Sequence, residues 1–341
     1  MGMKKRSVML SAVAVMTSAC LLLGFMYRVP AAEKEQGLAG QFDVSADGTI
    51  AYTAYEKGKP TLYVKSTDSR QIVQLPDDRS ILDLTLTPDA ETLYYIVSDD
   101  ELGEDSGSTI FKADLASGKN EKIVAASGII TELMADPKSP DHLFYLKAEK
   151  FSGYSPGASL FPYDFDIHRY DVRSGQHARV TEMSQQSMTS LQVSADEDAV
   201  YVQMDEEEGM TAGGELAAKG RIFKIPLNRT DQKQIISIPE ETADLYDFLL
   251  IPDHAVLIYQ AIAGTGEDGM LEYELFSYNW ETQLIRQLTT LHAYAGSPIL
   301  GADGSVYFMV DRAFGEMYSD QVLFRMEPDG AELEEIPLNE N

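Results

Sequence analysis

Ser45-Ala46-Asp47-Gly48 leads into Ile50-Ala51-Tyr52, then Leu62-Tyr63-Val64, then Gln71-Ile72-Val73-Gln74-Leu75. A tight turn is followed by three short segments rich in β-branched and aromatic residues, which fit a pleated surface better than a helix. The turn has a physical reading. Asp bonds the backbone just beyond it, and Gly accepts the positive φ that closes a hairpin.

The same turn recurs down the chain, as Thr87-Pro88-Asp89-Ala90, Asp136-Pro137-Lys138-Ser139, Ser194-Ala195-Asp196-Glu197, Ile251-Pro252-Asp253-His254 and Gly301-Ala302-Asp303-Gly304. With the first that makes six copies, at the period of roughly 40–60 residues that propeller blades show and helical solenoids do not. A doubly apolar segment follows each turn, such as Leu93-Tyr94-Tyr95-Ile96-Val97 or Val306-Tyr307-Phe308-Met309-Val310. Strands packed between neighbouring sheets lose simple alternation in this way. The next segments alternate, as in Ile167-His168-Arg169-Tyr170, and fit a strand nearer solvent. A fourth, more polar segment closes each unit, for example Leu284-Ile285-Arg286-Gln287-Leu288. The expectation is an all-β chain, a six-bladed β-propeller of four-stranded antiparallel blades over residues 40–341.

The series of turn, apolar strand, Leu-Tyr-Val and closing Gln-Ile-Val-Gln-Leu resembles the WD40-like repeat of TolB-type propellers. The resemblance spans nearly everything from Gly40 to Asn341. Trp280 is followed by Glu281, so the Trp-Asp signature of true WD40 repeats is missing, and no room is left for the amino-terminal domain of TolB. What the resemblance implies is the fold.

The first residues bear on location. Lys4, Lys5 and Arg6 precede a stretch from Ser7 to Tyr27 with no charge. That is close to the ~20 residues an α-helix needs to span a bilayer and longer than the ~7–15 of a signal-peptide core. The expected arrangement is a cytoplasmic basic tail (1–6), a transmembrane helix (7–28) and a linker (29–39), with the large domain outside the cytoplasm in a bacterial envelope. Val29-Pro30-Ala31-Ala32 offers small residues for signal peptidase, so secretion after cleavage is the alternative, and Cys20 in Thr17-Ser18-Ala19-Cys20 only loosely resembles a lipoprotein box.

Composition narrows the partners. Asp and Glu number 55 against 27 Lys and Arg, a net charge of −28. Such a field repels phosphate backbones and speaks against nucleic acid. The single Cys excludes a disulfide framework and any multi-cysteine metal site.

The segments between second and third strands vary most, and in a propeller they project from one face together with the blade connections. Asp99, Asp100 and Glu101 sit in that of blade two, Phe151, Tyr154, Phe161 and Tyr163 in that of blade three, Glu206 and Glu207 in that of blade four, and Phe314 and Tyr318 in that of blade six. These residues form the candidate rim, acidic and aromatic, suited to a cationic or amphipathic protein or peptide. Acidic runs also serve plain solubility. The apolar blade-three loop either folds over its blade edge or meets a partner.

Catalytic patterns are thin. Gly153-Tyr154-Ser155-Pro156-Gly157 has the outline of a nucleophile elbow, but the residue after Ser155 is a proline without the N–H an oxyanion needs. His168, flanked by Asp164, Asp166 and Asp171, reads as a strand residue paired with a carboxylate. No catalytic residue, metal site or cofactor is assigned. The function expected is a non-enzymatic, membrane-anchored binding or scaffolding module. The alternative is a hydrolase or lyase acting in the central funnel.

Overall fold

In the computed structural model of the chain, the residues described are 36–103, 105–152, 161–208, 217–236, 245–251, 255–266, 269–316 and 318–338. The expected anchor and the Gly-x-Ser-x-Gly segment lie outside them, as does Tyr154. Among the described residues no helix is long and apolar enough to cross a membrane.

The described residues form β strands in units of four. Blade one comprises β1 (Gly37–Val44), β2 (Ile50–Glu56), β3 (Lys59–Lys65) and β4 (Ser69–Gln74), and blade two β5 (Arg79–Leu86), β6 (Thr92–Asp99), β7 (Gly107–Asp114) and β8 (Asn120–Ser127). Blade three follows with β9 (Ile129–Asp136), β10 (Ser139–Ser152), β11 (Phe161–Asp171) and β12 (Gln176–Arg179), and blade four with β13 (Met188–Val193), β14 (Ala199–Glu208), β15 (Ala217–Pro226) and β16 (Gln234–Ile236). Blade five is β17 (Phe248–Ile251), β18 (Val256–Thr265), β19 (Leu271–Asn279) and β20 (Leu284–Gln287), and blade six β21 (Tyr294–Leu300), β22 (Val306–Asp311), β23 (Gln321–Met326) and β24 (Glu334–Ile336). Within each blade the strands pair antiparallel in chain order. A single parallel bridge, Tyr273 to Tyr294, also links blades five and six.

The turn chemistry behaves as its residues dictate. Asp47 Oδ1 accepts from Ser45 Oγ at 2.6 Å and from Thr49 N at 3.0 Å, and Gly48 takes φ 82°. Asp89 repeats this with Thr87 and Glu91, and Asp303 accepts from Ser305 N at 3.0 Å. Each such turn sends its chain into a second strand buried on both sides, as with Leu93, Tyr94, Tyr95 and Ile96, because the core lies between blades. Ala51 and Leu62 of blade one pack with Leu84 and Leu93 of blade two, and Phe144 and Ile167 of blade three with Val200 and Phe223 of blade four.

First strands pack β1 on β5, β5 on β9, β9 on β13 and β17 on β21, and β1 meets β21 and β23 to close the ring. This is the six-bladed propeller expected. Two local differences matter for function. The first strand opens at Gly37, ahead of the expected start at Gly40. Several expected loops are instead hairpin extensions: β10 and β11 pair as far as Ser152 with Phe161, and β14 and β15 as far as Glu208 with Ala217. Backbone pairing continues past the blade body because consecutive N–H and C=O groups find ladder partners there.

Candidate functional site at the rim of blades five and six

Second-to-third hairpins and blade connections share one face, and on it the exposed large apolar residues gather around blades five and six. Tyr246, Ile262, Met270, Leu271, Phe314 and Tyr318 are all exposed there. β19 begins Leu271-Glu272-Tyr273-Glu274-Leu275, an alternation that sends Tyr273 to one face of its sheet and both glutamates to the other. Tyr273 reaches Tyr246 (ring centroids 5.3 Å apart), Tyr294 (5.1 Å) and Phe314 (5.6 Å), and Phe314 stacks on Tyr294 at 4.6 Å with an interplanar angle of 22°. Edge-on and offset arrangements of this kind are those the ring quadrupoles favour.

Beside this cluster lies a groove of about 340 Å³, walled by Met270, Leu271, Glu272 and His292 of blade five and by Arg312 and Phe314 of blade six. The blade-six side is held in shape by one buried carboxylate. Asp311 accepts from Ala313 N and Asp320 N at 2.9 Å each and from Ser319 Oγ at 2.9 Å. Gly315 sits at φ 87°, and Met270 approaches so closely that a Cβ there would collide with it. The two hairpins are thus fitted to each other across the groove.

The groove carries two acidic side chains, Glu272 and Asp311, and two basic ones, His292 and Arg312. Glu272 pairs with His292 at 3.0 Å, and that carboxylate raises the His292 imidazole above its ordinary pKa. Behind His292 stands Glu274, 1% exposed, with one oxygen accepting His292 N at 2.7 Å and Oε2 without a partner. Arg312 is tied to Glu335 and lies over the Phe324 ring.

The expected rim residues are scattered more widely than a single site. Phe314 lines the groove and belongs to the aromatic cluster, and Tyr318 is exposed on the same blade-six loop. Phe161 stands 53% exposed on the blade-three hairpin, opposite Ser152. Phe151 is half-buried on the same hairpin, opposite Pro162, and Tyr163 lies half-buried under Lys150, whose ammonium is 5.9 Å from its ring. Asp99 is bound to Arg79 at 2.5 Å, Asp100 accepts from Ser80 Oγ at 2.6 Å, and Glu101 is exposed. Glu206 pairs with Arg221 at 3.5 Å, and Glu207 stands in the ladder opposite Ala218 rather than in a loop. His168 is a correction. It stacks on Tyr145 at 5.3 Å, its Nε2 has no partner, and burial pushes its pKa down to about 4, so it is a neutral core residue and not half of an ion pair. Residue patterns did not point to Tyr246, Tyr273, Tyr294 or His292. The alternating start of β19 was the available signal for Tyr273.

Around the axis a second set of groups converges. Asp43 accepts from Leu86 N at 2.7 Å, Asp83 from Leu133 N at 2.8 Å, and Glu132 from Ser190 N and Leu191 N at 2.9 and 2.7 Å. Gln192 exchanges two bonds with Leu250, and Asp247 accepts from Ser190 Oγ and Ser297 N at 2.7 Å each. Each bond runs from one blade's innermost chain to the next. Ser190 and Ser297 stand at φ 57° and 53°, an uncommon conformation for a residue with a Cβ, and both N–H groups are used by these carboxylates. Burial raises all four acids, Asp83 well above the usual range with Glu132 adding to it, and Glu132 to about 7. Among the described residues no group of three or more His, Cys, Asp or Glu is arranged to hold a metal ion.

No family model and no curated protein matches the chain. Solved structures do. TolB from Acinetobacter baumannii aligns with a TM-score of 0.55 at 16% identity, over 83% of this chain and 61% of that one. An oligogalacturonate lyase solved in complex with manganese gives 0.56 at 14% identity, over 88% and 77%, and a nidogen/laminin complex 0.52 at 11%, over 79% and 86%. This chain therefore spans less than two thirds of TolB. At these identities the likeness concerns architecture, and what it establishes is that this chain has the fold of a TolB-like six-bladed β-propeller.

Proposed function

We propose that the chain is a non-enzymatic binding or scaffolding module, anchored by residues 7–28 with its propeller outside the cytoplasm, and that it receives a protein or peptide on the rim of blades five and six. The observation that carries this is the aromatic groove. Phe314 remains 37% exposed while it stacks on Tyr294 at the groove, Tyr318 is 47% exposed on the same loop, and aromatic anchors are where interface binding energy concentrates. That a nidogen/laminin complex aligns on this fold supports the use of such a scaffold for protein contacts.

Capture from solubilised envelope by the full chain and by Phe314→Ala and Tyr318→Ala chains tests the reading. Loss of the same partner from both variants, with thermal stability kept, is expected, and an unchanged partner set would overturn it. For the orientation, protease added to spheroplasts should digest the propeller while cytoplasmic reporters survive. Protection of the propeller under those conditions would refute the anchor's direction.

A second reading draws on the axis, where Glu132, at about 7, has the pKa of an acid–base catalyst. Its two oxygens are each occupied by a backbone N–H of blade four, which favours a structural duty.

A further inference from the structure

We infer that the propeller turns the face of its second-to-third hairpins toward the membrane that anchors it, so that the rim of blades five and six meets the juxtamembrane part of a neighbouring membrane protein. The inference rests on the anchor and the rim reading above, and adds where the partner stands.

The chain enters the propeller on that face and near its axis. Gly37 pairs with Tyr55, beside the Lys57-Gly58 turn that joins the second and third strands of blade one. β1 is the innermost strand of its blade, in contact with β5 and β21. Gly40 then passes so near blade six that a Cβ on it would stand 3.9 Å from Gln321 Oε1, and Gln321 Nε2 donates to Asp311 Oδ2 at 3.3 Å. Asp311 is the carboxylate that shapes the loop carrying Phe314 and Tyr318. Entry point and rim are neighbours.

The tether is short. From Arg28, at the end of the anchor, to Gln36 the chain takes eight steps, which at roughly 3.6 Å each reach about 29 Å at most. To turn the opposite face to the membrane, the tether would run outward over a four-stranded blade and then down its side. Strands about 4.8 Å apart make the first leg about 14 Å, and the seven residues of β2 make the second about 23 Å. That route of about 37 Å exceeds the reach. A shortcut down the axis would carry Glu33 and Glu35 past Asp43, Asp83, Glu132 and Asp247, against like charge at acids whose burial already disfavours ionisation. Trp280 and Leu284, exposed at the third-to-fourth turn of blade five, lie on the far face.

Charge and surface together select the occupant of the space between the near face and the bilayer. A chain at −28 is pushed away from anionic headgroups, so this face stands off the lipid rather than resting on it. Yet Met270, Leu271, Phe314 and Tyr318 are exposed on it around blades five and six. Exposed apolar side chains gathered in one patch mark contact with a protein or a membrane. With lipid disfavoured, the occupant is polypeptide held within about 29 Å of the bilayer.

The test uses the full chain with Cys20→Ser in phosphatidylcholine vesicles that carry an acceptor dye on their headgroups. A donor dye is placed on the near face through Lys59→Cys or Glu182→Cys, and on the far face through Glu91→Cys or Glu281→Cys, all at exposed positions. Energy transfer should be stronger from both near-face positions, corresponding to a separation of about 23 Å, one strand length. Equal or reversed transfer from chains that float with the vesicles would overturn the orientation and leave the rim reading standing. Chains that do not float would remove the anchor, and the orientation with it. The partner's place is read by cross-linking in spheroplasts, with about 20 residues inserted after Glu35. A stiff Glu-Ala-Ala-Ala-Lys spacer adds about 30 Å and should abolish capture, while a Gly-Ser spacer of equal length should keep it. Capture through the stiff spacer would assign a soluble partner, and quenching of the Lys59→Cys label by spin-labelled lipid tails in protein-free vesicles would assign the lipid itself. Either result overturns the membrane-protein assignment.

Discussion

A carboxylate that accepts two backbone N–H groups ordinarily ionises more readily than a free one. Glu132 does the opposite, because burial outweighs those bonds and Asp247 adds repulsion. The sign for stability follows. The group is raised from 4.5 to about 7, so the fold favours its protonated form. Its contribution is complete below the unfolded value and is lost as pH rises through the folded one. Stability should therefore fall by about 2 kcal/mol between roughly pH 4.5 and pH 7, a figure held below the full linkage because the side chain keeps some solvent contact. In Glu132→Gln this segment of the urea midpoint against pH should flatten, whatever the absolute stability. An identical slope in both chains would show that Glu132 does not titrate there. At the rim the sign is the same, although the titrating group is a base. His292 is raised by Glu272, so that pair stabilises below the unfolded imidazole value and fades as pH rises past the folded one. Its NMR titration should move down in Glu272→Gln, and no movement would mean that the pair does not form in solution.

At the scale of the element, the blade-six loop behaves as a preformed unit. Asp311 gathers the far end of the loop through Asp320 N and Ser319 Oγ, and Gly315 makes the bend that admits Met270. Gly315→Ala should cost about 1–2 kcal/mol, combining a Cβ at positive φ with the collision at Met270. Met270→Ala in the same chain should relieve part of this, since the far end of a flexible side chain is what collides. Strictly additive thermal shifts would argue against the contact. Elements of this kind show where residue patterns suffice. The Asp turns and doubly apolar second strands announced every blade, because turn chemistry and two-sided burial both leave local marks. The hairpin extensions left none: Glu206-Glu207-Glu208 reads as a solvated run, and only pairing with Lys219, Ala218 and Ala217 reveals a strand. The site was legible in part for the same reason. Phe314 stood out as an aromatic in a loop, whereas Tyr246 and Tyr294 come from separate chain segments that meet only when blades five and six are side by side.

For the whole molecule the decisive joint is the one between the first and last blades, since the ring closes there without a shared strand. Side-chain bonds to backbone cross the other five junctions near the axis, from Asp43 to Leu86, Asp83 to Leu133, Glu132 to Leu191, Gln192 to Leu250 and Asp247 to Ser297. The last joint is made farther out. Phe42 and Tyr52 pack with Tyr307, Met309 and Leu338, while Tyr52 OH and Ser69 Oγ each donate to Leu338 O at 3.1 Å and Lys65 Nζ to Pro337 O at 2.7 Å. An open groove of about 790 Å³ runs along blade one beside Tyr52, Tyr63 and Leu338, at the edge of this seam. Leu338 is 3% exposed, and removing its side chain forfeits about 2–3 kcal/mol of burial. Leu338→Ala should lower stability by that amount, and removing residues 337–341 should lower it further by taking the acceptors of Tyr52, Ser69 and Lys65. Hydrogen exchange then separates local from global weakening. Amides of β1, β2 and β24 should exchange faster in the truncated chain, with those of β9, β10 and β11 across the ring nearly unchanged under native conditions. Uniform acceleration around all six blades would mean that the propeller opens as one cooperative body and that this seam is no weaker than the rest.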